Sequence, residues 1–155
     1  MNKVISIVAV VARLFLGGMM VLGGADKFAA NPAPTEVVAK AEKFTAPEKE
    51  ETLQKVLYIN GMKQTGYAWQ VLGIFEILFG ILVIIQFTSF VGSVFLLPIT
   101  AHIFLFHVFL EADETGELVM TGLLMAANLF LIFKDYAKWK HLLSVHPFKS
   151  GPSTS

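Results

Sequence analysis

The sequence predicts an all-α integral membrane protein, a four-helix bundle with an extracytoplasmic amphipathic helical segment between helices 1 and 2. Three observations carry that prediction. Hydrophobic residues make up 55% of the 155 residues and charged residues 15%, where soluble domains run about 25% charged. Mean hydropathy is +0.65. Four apolar stretches, residues 4–24, 68–88, 90–110 and 116–133, span roughly 27–32 Å at about 1.5 Å per residue, matching a hydrocarbon core of about 30 Å. Fourteen phenylalanines are more apolar bulk than one small soluble core encloses. A soluble enzyme and an acidic disordered chain are excluded. Twelve Lys and Arg balance twelve Asp and Glu, so no basic field exists to hold nucleic acid. The absence of cysteine removes disulfides, iron–sulfur ligation and Cys-type zinc sites.

The first stretch opens with Lys3 and contains Arg13. It is longer than the 7–15 residues of a signal-peptide core, and the arginine interrupts it, so a retained membrane helix is expected. Residues 25–67 form the one long polar segment. Asn31-Pro-Ala-Pro34 reads as a turn. Thr45-Ala-Pro-Glu48 reads as a helix start with Thr45 as N-cap. Leu53, Val56, Leu57 and Asn60 then follow at helical spacing, as in an amphipathic helix that lies on the membrane or caps the bundle. A solvated connecting helix fits the same pattern. Helices 2 and 3 meet almost directly at Thr88-Ser89 and must be antiparallel neighbours. Helices 3 and 4 are joined by the acidic Glu111-Ala-Asp-Glu-Thr115. Asp113, Glu114 and Glu117 read as a solvated acidic run rather than a cation site.

The segment after helix 4 carries Lys134, Lys138 and Lys140 with an interfacial tyrosine and tryptophan. Lysine placement puts this end and Lys3 in the cytoplasm and the acidic loop outside, while the 25–67 segment, with six Lys and six acids, is long enough to be a weak topological signal. Residues 1–150 read as a single transmembrane domain and residues 151–155 as a disordered tail.

Polar residues inside the apolar stretches are the informative ones, because a charge at mid-bilayer costs several kcal/mol. Arg13 shares a helical stripe with Gly17, Met20 and Gly24; Glu76 shares one with Gly73 and Gly80. Glycines on those faces let a neighbouring helix approach closely, so both charges are expected to point inward. Measured from the outer ends, Glu76 and His102 come out at roughly 12 Å and Arg13 and Asn128 at roughly 16 Å depth. Lys27 lies above them at the outer boundary. An outer-half pocket is therefore expected, with an Arg13–Glu76 pair and His102. Arg13, Lys27, Glu76, His102, His107 and Asn128 are its candidate ligand-binding residues. Quinone is the candidate ligand, with His or Glu carrying protons. The competing reading is that Arg13, Glu76 and Asn128 satisfy one another and fix helix register.

His102 and His107 lie about 140° apart on one helix at 100° per residue, so they cannot both ligate one metal from a regular helix. No metal site is expected. A homodimer would bring two His102 together, and homo-oligomerisation stays open. No nucleotide loop, nucleophile elbow or zincin motif is present.

Several of these segments resemble the DoxX-like family. Arg13-Leu-Phe-Leu-Gly17 followed by Gly23-Gly-Ala-Asp-Lys-Phe28 resembles its first helix. Leu72-Gly-Ile-Phe-Glu-Ile-Leu-Phe-Gly80 resembles its second, and Leu97-Pro-Ile-Thr-Ala-His-Ile-Phe-Leu-Phe-His107 its third. The similarity runs from Arg13 to Phe133, with a longer polar insert over 31–60 than a minimal member has. The resemblance implies a small four-helix protein of the bacterial cytoplasmic membrane. Members include the small subunit of a thiosulfate:quinone oxidoreductase and subunits beside other membrane oxidoreductases. It implies no catalytic residue. Three functions are thus in play: a redox-associated, quinone-binding subunit; a non-catalytic anchor that holds a protein partner through 25–67; and, more remotely, a small-molecule transporter.

Overall fold

A computed structural model describes residues 3–29, 31–46 and 49–140. His141, His146 and the predicted 151–155 tail lie outside them. Among the described residues every regular element is a helix: α1 (Lys3–Asp26), α2 (Pro34–Glu42), α3 (Glu50–Gln64), α4 (Ala68–Ile84), α5 (Ser89–Leu110), α6 (Thr115–Phe133) and the short α7 (Tyr136–Trp139). Among them, α1, α5 and α6 are long and apolar enough to cross a membrane by themselves. At 17 residues, α4 is about 25 Å long at 1.5 Å per residue. It ends at Ile84 rather than near 88. The Thr88 hydroxyl donates to the Leu82 carbonyl at 2.8 Å, which satisfies a last-turn oxygen with a side chain and lets the chain reverse there.

Four helices pack in sequence: α1 on α4, α4 on α5, α5 on α6, and α6 back on α1. Leu16, Val83, Leu96 and Leu131, one from each, are fully buried. Large apolar side chains such as Ile7, Leu14, Leu22, Phe95, Phe109 and Leu123 face outward. An apolar exterior of that extent needs a lipid environment.

The α1–α4 seam is set by glycine, as the stripes predict. A Cβ on Gly24 would lie 2.7 Å from the Gly73 carbonyl oxygen, and one on Gly17 would lie 2.7 Å from that of Gly80. The helices therefore run antiparallel with backbone against backbone.

The α5–α6 seam is set by Asn128, which is fully buried. Its amide donates to the Ser93 carbonyl at 2.9 Å and accepts from Leu97 N–H at 3.2 Å and from the Thr100 hydroxyl at 2.9 Å. Pro98 has no N–H to offer Val94, and Asn128 braces the turn just before that gap. Here the register-fixing reading of Asn128 fits its surroundings. Asn128→Leu is expected to cost about 0.6–1.7 kcal/mol, the range found for interhelical side-chain hydrogen bonds in membranes. Unfolding in a denaturing detergent titration measures it, and an unchanged midpoint would refute the brace.

The polar 25–67 segment holds two helices where one was expected. Pro34 at the first position of α2 and the Glu36 carboxylate, which accepts from Ala33 N–H at 3.3 Å, are ordinary helix-start devices. Thr45 does not cap α3. Its hydroxyl donates back to the Glu42 carbonyl at 3.1 Å, so it closes α2, and α3 begins at Glu50. α3 meets α4 at 87°. The corner turns at Gly66, whose φ of +79° suits a residue without Cβ. The Thr65 hydroxyl accepts from Ala68 N–H at 2.9 Å to start α4. α3 thus lies across one end of the helical body, on α4 and α5. Val56 and Asn60 are buried there, while Leu57 remains exposed. The acidic loop is part of this closure rather than merely solvated: Lys55 pairs with Glu111, and with Glu114 at 3.4 Å.

Candidate functional site

Under α3 lies a cavity of about 190 Å³ lined by Lys27, Tyr58, Ile59, Met62, Trp69, Leu72, Glu76, His102, Ile103, Phe106 and His107. Its innermost polar feature is an ion pair. The Lys27 ammonium donates to the Glu76 carboxylate at 2.6 Å, with side chains 13% and 2% exposed. Lys27 also donates to the Gly23 carbonyl at 3.2 Å, and its ammonium sits 5.0 Å from the Trp69 ring centre, within cation–π range. Lys63 approaches the same ring at 5.1 Å. The end of α1 thus holds Lys27 in place for Glu76.

A second polar pole of the cavity sits among aromatic rings. The Tyr58 hydroxyl bonds to His102 Nε2, and the Tyr58 ring packs against His102 and Phe106 with centroids 5.8 and 5.7 Å away. His107 is held by its own helix: Nδ1 lies 3.2 Å from the Ile103 carbonyl and Nε2 3.3 Å from Glu111. Since Glu111 also holds Lys55, His107 is tied through it to α3. Among the described residues, no three His, Asp or Glu side chains are grouped to hold a metal ion.

Four of the six candidate residues from sequence line this one cavity: Lys27, Glu76, His102 and His107. Asn128 is spent on the α5–α6 seam. Arg13 is elsewhere, and the expected Arg13–Glu76 pair does not form. The glycine contacts place Glu76 beside Gly24 and Ile84 beside Gly17. Another turn of the same antiparallel register puts Arg13 level with Gln86 and Phe87, at the α7 end. The sequence-based depth fails because it sets Gly24 level with Ala68, whereas the seam sets Gly24 against Gly73 and Glu76, more than a turn further along α4. Sequence pattern does not assign Tyr58, Trp69 or Phe106 to the cavity they line. Trp69 next to the start of an apolar stretch was the available signal, but it reads equally as an interfacial anchor.

Fold and site together define a multi-pass α-helical membrane protein with a buried Lys–Glu pair beneath an aromatic cavity. The chain belongs to the DoxX family, whose family model matches residues 8–108. That range contains every residue lining the cavity and confirms the resemblance read from the first three apolar segments. No curated protein and no solved structure matches the chain.

Proposed function

We propose that this protein is a four-span subunit of the bacterial cytoplasmic membrane, a single transmembrane domain with both termini in the cytoplasm. Its cavity under α3 holds the ring of a quinone or a similar small oxygenated ring in a redox-linked process. The observation that carries this reading is the pairing of two polar poles, Lys27–Glu76 and Tyr58–His102, across aromatic and aliphatic walls. A flat ring with an oxygen at each side uses such a site. Lys27, Tyr58 and His102 can offer hydrogen bonds to those oxygens, and Trp69 and Phe106 can cover the ring faces. The cavity is smaller than the roughly 300 Å³ at which drug-sized sites begin, which suits a ring better than a whole amphiphile. The α3 end carries Glu111, Asp113, Glu114 and Glu117, and the α7 end Lys3, Lys134 and Lys140. The 25–67 segment adds six lysines at the α3 end, so the orientation rests on the short connections alone, the lysine-free 111–115 loop against the α7 end.

A short-chain benzoquinone titrated into the detergent-solubilised protein tests the site through quenching of Trp69. Saturable quenching is expected, absent in Trp69→Phe. Tyr58→Phe and His102→Ala should weaken it about tenfold each while the protein accumulates normally, one lost hydrogen bond being worth about 1–1.5 kcal/mol. Quenching that never saturates, or that all three variants share unchanged, rejects the reading.

One observation favours the anchor alternative. No side chain of α2 is buried, and Val38 and Leu57 are exposed on the α2–α3 pair. On that reading Val38→Ser with Leu57→Ser loses a co-purifying protein, and the quinone titration shows no saturable site.

A further inference from the structure

The α7 end of the molecule holds a second and larger cavity, of about 600 Å³, bounded by α1, the α4–α5 turn, the end of α6 and α7. Its lining combines Arg13, Ser89, Gln86, Lys134 and Asp135 with an apolar wall that includes Val10, Phe87 and Trp139. Arg13 is only 9% exposed. Among the described residues no carboxylate or carbonyl oxygen pairs with its guanidinium. Ser89, 3% exposed, lines the same cavity, and its hydroxyl oxygen has no hydrogen-bond partner among the described residues. Lys134, by contrast, pairs with Asp135.

A buried guanidinium is costly unless something anionic meets it, because five N–H donors and a full charge have left water. The charge balance of the lining says how much anion is needed. Lys134 and Asp135 cancel, so Arg13 leaves one net positive charge. A singly charged oxyanion balances it. Guanidinium forks match the two free oxygens of a phosphodiester in bidentate geometry, and the Ser89 hydroxyl can donate a further hydrogen bond. The rest of the wall is apolar and opens beside Val10 and Phe87, both exposed on the outer surface, which suits an acyl chain continuing from the bound group.

We propose that this cavity is a phosphate-binding site centred on Arg13, seated by Ser89, that takes the singly charged phosphodiester of an anionic phospholipid. It is separate from the cavity under α3 and shares no lining residue with it.

Native mass spectrometry of the full chain released from detergent tests this. Phosphatidylglycerol and phosphatidylcholine are offered as separate probes, each with and without excess inorganic phosphate. Both lipids carry the phosphodiester, but the choline ammonium of phosphatidylcholine cancels its charge, so one phosphatidylglycerol should be retained at least about tenfold more tightly in a lining with one net positive charge. Arg13→Gln should abolish that preference, Arg13→Lys should keep part of it, and Ser89→Ala should reduce retention severalfold with the fold intact. If inorganic phosphate displaces the lipid or binds alone, the phosphate chemistry stands and the source is a free ion. Equal retention of the two lipids by the unmodified protein without any phosphate binding overturns the proposal. So does undiminished preference in Arg13→Gln. The lipid comparison needs no variant, so a variant that fails to fold leaves it decisive.

Discussion

Glu76→Ala is expected to destabilise the protein by about 3 kcal/mol, the low end of the 3–5 kcal/mol seen when one partner of a buried ion pair is removed. The Glu76 side chain is 2% exposed and that of Lys27 13%. Removing the carboxylate leaves the ammonium in an apolar cleft with only the Gly23 carbonyl and the face of Trp69. Those two contacts put the expected cost at the low end of the range. The paired replacement Lys27→Met with Glu76→Leu removes both charges at once. It should lie within about 1 kcal/mol of the unmodified protein, since apolar replacement of a whole buried pair is commonly neutral or stabilising. Unfolding midpoints of the single and double variants in one detergent measure the coupling between the residues. Additive effects would mean that the two groups do not depend on each other, and the floor of the cavity would have to be redrawn. The same double variant separates structure from function. It should fold well and yet lose the saturable quinone quenching at Trp69, because the polar pole that addresses the ring is gone.

The sequence makes the faces of α1 and α4 legible but not their relative height. Gly17, Gly24, Gly73 and Gly80 sit on the stripes that hold Arg13 and Glu76, and all six are buried. Periodicity predicts that much, because small residues on one face can serve only close packing. Height depends on where each helix ends. α4 stops at Ile84 through the Thr88 hydroxyl, a contact across the turn that no hydropathy window registers. The seam sets Gly24 rather than Arg13 beside Glu76, and with α4 ending at Ile84, Arg13 falls at the α7 end beside Gln86 and Phe87. The partner of Lys27 is 49 residues away, a separation that local pattern does not reach. The cavity's aromatic wall was illegible for a related reason. Tyr58 lies on α3, whose 87° bend against α4 brings it over His102. That bend depends on the positive φ of Gly66, and a glycine in a polar segment signals a turn without giving its angle. Pro34 and Glu36 announce α2, but the two prolines of Asn31-Pro-Ala-Pro34 also read as a turn.

The two glycine pairs of the α1–α4 seam set up the second large effect, with controls built into the same helix. Gly24→Ala places a Cβ 2.7 Å from the Gly73 carbonyl oxygen and 3.1 Å from Glu76 Cβ. Backbone cannot move aside as a flexible side chain can, so the two helices must separate. Gly17→Ala meets the Gly80 carbonyl oxygen at 2.7 Å and has the same consequence one seam position away. Each is expected to cost about 1–3 kcal/mol, the usual penalty of overpacking, with Gly24→Ala also shifting the cleft that holds Lys27 and Glu76. Gly18 and Gly23 are their immediate neighbours, and a Cβ at either meets nothing within 4 Å. There the same substitution should be neutral or stabilising by about 0.5–1 kcal/mol, because alanine favours helix where glycine does not. The sign of the effect should therefore alternate between adjacent residues, Gly17 against Gly18 and Gly24 against Gly23. Detergent unfolding of the four single variants reads that alternation. A uniform response would mean that helix propensity alone governs α1 and that α4 does not rest on it. The quinone titration adds a second readout. If the seam positions the site, Gly24→Ala weakens quenching at Trp69 more than Gly17→Ala does, because Gly24 touches Glu76 Cβ and Gly17 lies two turns away.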